Sequence, residues 1–319
     1  MKRRGNAELL FVGDEMPLSI KPITPRFGAE VFGINLTKPL TQGEVGEVIE
    51  AMDQWGVCVY RSTGLTDETH IAFSRRLGSL FQVPGARPGA MPVSGSVTPA
   101  FRSRHKHLEI FDASNLDADG NIVASEMTMI HKRGDRQWHT DSSFSPDGRA
   151  SYSLLLAHEV PPKAGQTHFA DMRSAYDMLS DGQKRRIEPL VASHSMWYSR
   201  MTAGLPITEA EIAQRPSMQH RIVQTHQGSG RKTLYIAAHA SHIVGMPVHE
   251  GRALLRELID HATQPQFTFS ITYGVGDLVI WDNRCTMHRG GDYDDRTYRR
   301  DMRRTTVRDG ATAEIRMSA

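Results

Sequence analysis

Trp138-His139-Thr140-Asp141-Ser142 is the stretch from which the fold is read. Successive side chains alternate along an extended strand, so His139 and Asp141 share a face there while Thr140 points elsewhere. Far downstream, Trp281-Asp282-Asn283-Arg284-Cys285-Thr286-Met287-His288-Arg289 adds a second imidazole in His288. Two imidazoles and one carboxylate make the facial triad of a non-haem iron(II) site. Such a site leaves three metal positions open, enough for a bidentate oxoacid and for dioxygen. With 15 histidines in 319 residues, a His-x-Asp pair arises readily by chance, so its context carries the weight. The third ligand must arrive from a distant strand.

A chain of 319 residues with 39% apolar content has material for one sizeable core, and a mixed or all-β unit of this length need not split. One domain over 18–319 is expected, preceded by an extension over 1–17. The net charge of +2 supplies no field for nucleic acid or an anionic membrane. Cys58 and Cys285 are the only cysteines, too few for a disulfide scaffold, and the natural setting is a reducing, cytoplasmic one. Met1-Lys2-Arg3-Arg4 begins like a secretory leader, but the apolar run that follows is only Leu9 to Val12. Neither a secretory segment nor a membrane span is expected.

Residues 18–36 alternate apolar and polar positions around Pro25-Arg26-Phe27-Gly28, the pattern of two short strands and a turn. Thr41 with Glu44 is a capping box, and Val45, Val48, Ile49 and Met52 repeat at helical spacing up to Trp55-Gly56. Residues 57–60 read as a buried strand, and Thr66-Asp67-Glu68 opens a helix that closes at Gly78. Glycine and proline dominate 83–97, which reads as a lid, a binding loop or a surface excursion. The basic cluster Arg102-Ser103-Arg104-His105-Lys106-His107 reads as a solvated face, with steering of an anionic substrate as the alternative. Further strands are expected at 151–157, 166–170, 267–273, 277–281 and 298–307, and helices at 173–178, 181–190 and 251–262. Short strands on both sides of a helical insertion give an α+β, mainly β fold: a distorted double-stranded β-helix, or jelly roll, with helical insertions.

Four stretches carry a resemblance. They are Gln137-Trp138-His139-Thr140-Asp141-Ser142-Ser143-Phe144; Glu159-Val160-Pro161-Pro162 with Gly165-Gln166-Thr167 and Asp171-Met172-Arg173-Ser174-Ala175-Tyr176; 276–284 through His288; and Arg300-Asp301-Met302-Arg303-Arg304-Thr305-Thr306-Val307. In this order they resemble the TauD/TfdA family of 2-oxoglutarate-dependent iron(II) dioxygenases, from Leu18 to the end. His194-Ser195-Met196-Trp197-Tyr198-Ser199 and the stretch 239–246 are more similar to the aryloxyalkanoate (phenoxy-herbicide) dioxygenases than to the taurine enzymes.

The resemblance implies roles. His139, Asp141 and His288 match the metal ligands. Thr167 matches the hydroxyl that contacts the far carboxylate of 2-oxoglutarate, and Arg300 its salt-bridging arginine, whose planar fork suits a carboxylate. Arg299, Arg300, Arg303 and Arg304 compete for that task. Counting back from Arg304-Thr305-Thr306 favours Arg300, and strand alternation sets Arg300 and Arg304 on one face. Arg304 is then left for the substrate's acid group, the cosubstrate or both, with Arg299 and Arg303 solvated. Trp281 packs beside the oxoacid or serves simply as a core tryptophan. His194, His239 and His242 line a pocket or, more commonly for such residues, sit satisfied in core or surface. His105, His107 and His131 lack ligand spacing, and Asp277 and Asp282 read as turn residues.

The implied cofactor is iron(II), with 2-oxoglutarate and dioxygen as co-substrates and a small anionic molecule as substrate. Hydroxylation of an aryloxyalkanoate at the carbon bearing the ether oxygen gives a hemiacetal or hemiketal that collapses to a phenol and a 2-oxoacid. Halogenases of the superfamily carry a small residue at the carboxylate position, so Asp141 favours hydroxylation. The alternatives are a sulfonate or alkyl-sulfate dioxygenase of the taurine type, a non-catalytic metal- and oxoacid-binding relative, and, weakest, nucleic-acid binding through the arginine-rich tail. Relatives are often oligomeric, so a homo-oligomer is expected, without nucleic-acid or membrane partners.

Overall fold

The computed structural model describes residues 18–82, 104–214 and 216–310. The expected extension at 1–17 and the glycine- and proline-rich stretch at 83–97 lie outside them.

Val57–Tyr60 and Leu278–Asp282 are buried along their whole length, and Ala150–Glu159 along all but its last two residues. Unbroken apolar runs of this kind belong to a sheet covered on both faces. They form the middle of a seven-stranded sheet, in the order Ser19–Pro22, Ala29–Phe32, Val57–Tyr60, Leu278–Asp282, Ala150–Glu159, Asp301–Arg308, Phe111–Asp112. All pairings are antiparallel except Ala29–Phe32 with Val57–Tyr60.

Alternation sorts the two faces. Cys58, Tyr60, Leu154, Leu156, Leu278 and Ile280 pack toward the helix Gln42–Trp55. That helix begins at the expected capping box: Thr41 Oγ1 accepts from Glu44 N at 3.2 Å, and the Glu44 carboxylate accepts from Thr41 N at 2.6 Å. It ends at Gly56, whose φ of 69° lets the chain turn directly into Val57. On the other face Val57, Val59, Leu155, Ala157, Val279 and Trp281 share a core with Phe169 and Ile271. These last two come from a three-stranded sheet in the order Thr268–Ile271, Thr167–Asp171, Thr286–Gly290. Its outer residues Ala170 and Met287 pack into a third core with the helices Met172–Asp177 and Val248–Ala262. The molecule is thus mixed and mostly sheet, with one sheet facing another across an apolar layer.

Several expectations shift. His288 arrives on a distant strand, Thr286–Gly290, as expected, though without bounds given from sequence, and the helix Glu126–Arg133 was not foreseen. Strands at Val191–His194, Met218–Arg221, Val223–Thr225, Lys232–Leu234 and Ala240–Ile243 fill the helical insertion. His139 forms only an isolated bridge, and Asp141 opens a turn in which Ser142 has φ 57°. The extended strand expected through 139–141 is therefore absent. The last strand starts at Asp301, with a register shift after it, so alternation does not run from Arg300 to Arg304. No helix among the described residues is long and apolar enough to cross a membrane.

Candidate active site

The two histidines meet through the backbone. His139 N donates to the His288 carbonyl at 2.9 Å and His288 N to that of His139 at 2.8 Å, a hydrogen-bonded antiparallel pair that sets the side chains next to one another. Their ring centroids are 4.2 Å apart. The turn after His139 then brings Asp141 back: its Oδ1 lies 3.9 Å from His139 Nε2 and its Oδ2 3.6 Å from His288 Nε2. One ligand atom from each of the three residues falls within 4.8 Å of the others, and all three side chains are buried. His139 Nδ1 donates to the Gln137 carbonyl at 2.7 Å, which fixes the tautomer and leaves the Nε2 lone pair facing the cluster. Burial, with His139 beside it, holds His288 well below the ordinary histidine range, so that it is neutral. Two imidazoles and a carboxylate gathered within 4.8 Å fit a divalent first-row metal.

Asp141 is gripped from several sides. Arg304 Nη1 donates to Oδ1 at 2.5 Å and Ser153 Oγ to Oδ2 at 2.7 Å, while Asn283 Oδ1 accepts from Asp141 N at 3.0 Å. Trp281 is buried with its ring 4.5 Å from that of His288, and Phe169 stacks with His288 at 6.2 Å while lying 5.7 Å from Trp281. His239 lies edge-on to His139 at 5.9 Å and to Phe144 at 4.7 Å, so of the three histidines weighed as core or surface residues this one reaches the cluster. His194 is a core residue bonded to Ser143 Oγ, and half-buried His242 bonds to Ser241 Oγ.

A second corner forms around Thr167. Its Oγ1 accepts from the Tyr273 hydroxyl at 2.9 Å, and burial pushes Tyr273 up to about 12, keeping it a donor. Arg300 lies 5.9 Å from the centroid of the Tyr273 ring. Its guanidinium donates only to the Gly165 and Ala113 carbonyls, both at 3.3 Å, and among the described residues it pairs with no carboxylate. Burial lowers its pKa, since taking a cation out of water is costly. The competing arginines are occupied. Arg299 is exposed and paired with Glu159 at 2.9 Å. Arg303, expected to be solvated, is instead half-buried between Asp67 at 2.7 Å and Asp301 at 3.0 Å.

In the described part of the basic cluster Arg104 and His105 are structural, while Lys106 stays solvated. Arg104 is inserted between Asp112 at 3.0 Å and Asp301 at 2.5 Å, His105 is buried beside Asp112, and Lys106 and His107 meet Glu68; Arg102 and Ser103 lie outside the described residues. His105 also falls within a His-Asp-Asp group with Asp112 and Asp301, but Arg104 already pairs with both acids. Asp277 ties down its turn through Gly274 N and Ser62 N, as expected. Asp282 does more, pairing with Arg284 and with His226 at 2.9 Å in the core. Ser153, Asn283, Tyr273 and Asn115, which holds Arg300 N at 2.9 Å, escaped sequence reading. Two serines, Ser151 and Ser153, inside an otherwise apolar buried strand were the available signal.

With this geometry in place, the comparisons agree. The family described as "Taurine catabolism dioxygenase TauD, TfdA family" matches residues 19–306. An alpha-ketoglutarate-dependent 2,4-dichlorophenoxyacetate dioxygenase of Cupriavidus pinatubonensis is 40% identical, over 93% of this chain and 99% of that protein. An (S)-phenoxypropionate/alpha-ketoglutarate-dioxygenase of Sphingobium herbicidovorans is 33% identical, over 86% of this chain and 90% of its own length. The crystal structure of AAD-2 in complex with Mn(II) and N-oxalylglycine superposes with a TM-score of 0.80 at 40% identity, covering 93% of this chain and 99% of that one. The chain belongs to the TauD/TfdA dioxygenase family.

Proposed function

We propose that the chain is an iron(II)- and 2-oxoglutarate-dependent dioxygenase that hydroxylates an aryloxyalkanoate and so releases a phenol and a 2-oxoacid. The observation that carries this reading is a half-buried guanidinium that pairs with no carboxylate among the described residues, Arg300, beside the Tyr273 ring whose hydroxyl holds Thr167, in a fold that also gathers two imidazoles and a carboxylate. A binding site needs such a cation only when its ligand brings the negative charge. His139, Asp141 and His288 would hold the metal, which when bound supplies oxidative decarboxylation of 2-oxoglutarate to succinate coupled to hydroxylation of the substrate. The Arg300 fork and the Thr167 hydroxyl hold the far carboxylate of the cosubstrate, and the Tyr273 hydroxyl keeps Thr167 oriented. Trp281 and Phe169 close the apolar side and exclude water. Arg304, in contact with Asp141, is the cation for the substrate's own acid group and sets its side chain beside the metal; Phe111 supports its guanidinium at 4.5 Å. The protein's contribution is positioning.

The same reading treats the two facing sheets as a distorted jelly roll, supported by the core they share. The site draws on residues from 139 to 304, which supports one catalytic domain over 18–319. A cytoplasmic setting is supported by two buried free thiols. A homo-oligomer completes the proposal and is checked by light scattering. The function is tested by oxygen-dependent succinate release with phenoxyacetate, 2-phenoxypropionate and taurine. Turnover with phenol release on an aryloxy acid is expected; turnover on taurine alone overturns the substrate class.

A further inference from the structure

We infer that Asn283 and Ser153 are positioning residues that brace the metal-binding carboxylate of Asp141, an inference that rests on the metal site proposed above. Ser153 sits in the middle of Ala150–Glu159 on the face that also carries Leu155 and Ala157. A fully buried hydroxyl among apolar neighbours is costly unless bonded, and this one is bonded twice. It accepts from Asn283 Nδ2 at 2.9 Å and donates to Asp141 Oδ2 at 2.7 Å. The direction is forced, since an amide NH2 only donates and a serine has one hydrogen. With Asn283 delivering a proton to Oγ, the Ser153 proton is left for Asp141.

Asn283 is itself fully buried, and its orientation is fixed from the other end. Its Oδ1 accepts from Asp141 N at 3.0 Å and from Trp281 Nε1 at 3.1 Å. A flipped amide would set its NH2 against both donors. One side chain thus holds Asp141 twice, at the backbone directly and at the carboxylate through Ser153. The backbone hold matters because Asp141 lies in a turn, with no ladder of its own to fix it. With Arg304 on Oδ1, each carboxylate oxygen has one directed donor, and the plane of the group is set before a metal arrives. The neighbours that orient ligands in this way contribute to metal affinity as well as to rate.

The experiment is a Mn(II) titration of the purified full chain, following free Mn(II), for the parent and for Ser153→Ala, Asn283→Ala, the double variant and Asp141→Ala. The visible spectrum of the Co(II)-loaded proteins and the melting temperature of the metal-free proteins are read alongside. Ser153→Ala is expected to raise the Mn(II) Kd roughly 10- to 100-fold and to change the Co(II) spectrum, with the metal-free melting temperature little moved. Since both residues act through one hydroxyl, Ser153→Ala costs markedly less in the Asn283→Ala background than in the parent. Ser153→Thr, which keeps the hydroxyl, recovers affinity. Should Ser153→Ala not fold, Asn283→Ala alone carries the test with the same expected loss. Mn(II) affinity within about twofold of the parent and an unchanged Co(II) spectrum, while Asp141→Ala loses binding, overturns the brace and leaves the metal site standing. Equal binding by parent and Asp141→Ala overturns the metal site and the brace with it.

Discussion

Arg300 and Arg304 stand four positions apart with different company, and that difference predicts different kinetics. Arg300 forms no ion pair with a carboxylate among the described residues, whereas Arg304 already touches Asp141. Charge-assisted hydrogen bonds contribute about 1.5–3 kcal/mol each, or roughly 10- to 100-fold. Arg300→Gln is therefore expected to raise the KM for 2-oxoglutarate by that factor and leave the KM for the aryloxy acid nearly unchanged. Arg304→Gln is expected to raise the KM for the aryloxy acid and to lower kcat as well, because Asp141 loses a donor. Steady-state kinetics with each co-substrate varied in turn checks both, and the reverse pattern contradicts the assignment. The convergence of His139, Asp141 and His288 was legible because the order of the stretches that carry them is distinctive. Ser153 and Asn283 were not, since serine and asparagine most often serve turns and caps, and only the fold reveals that these two are buried.

At the scale of elements, the turn at 161–165 controls how Arg300 is presented. Ala164 and Gly165 both have positive φ, 63° and 71°, and a Cβ on Gly165 would meet Pro161 Cγ at 2.7 Å. Gly165 also supplies the carbonyl that receives Arg300 Nε. Gly165→Ala is expected to cost about 1–3 kcal/mol in urea unfolding and to raise the KM for 2-oxoglutarate; unchanged values of both would contradict the role of this turn. Thr41→Ala offers the contrast. It removes a capping box remote from the site, costs about 1 kcal/mol, and leaves both KM values alone. Elements with strong periods, such as Gln42–Trp55 and Val248–Ala262, were readable from sequence because one face of each is apolar at helical spacing. The bounds of Thr286–Gly290 were not, because its inner face carries His288 where an apolar residue would mark a strand.

At the scale of the molecule, stability depends on histidines buried without charge. Burial pushes His70 down to about 4 and His194 down to about 3, against roughly 6.5 in an unfolded chain. Between those values the unfolded state binds more protons, so their contribution to stability is complete above about pH 6.5 and is lost as pH falls toward 4 and below. Each histidine adds a slope of up to about 1.4 kcal/mol per pH unit in that window. His70→Gln is expected to flatten the dependence of urea-unfolding stability on pH between about 6 and 4.5 by close to one proton, and an unchanged slope would contradict it. The same close packing that keeps these imidazoles neutral brings His139, from the middle of the chain, against His288, from near its end. The most direct measurement is product counting with iron(II)-loaded protein given 2-oxoglutarate, oxygen and phenoxyacetate. Succinate and phenol are predicted to appear one for one with the parent chain and neither with Asp141→Ala; both products at the parent rate from that variant would contradict the account.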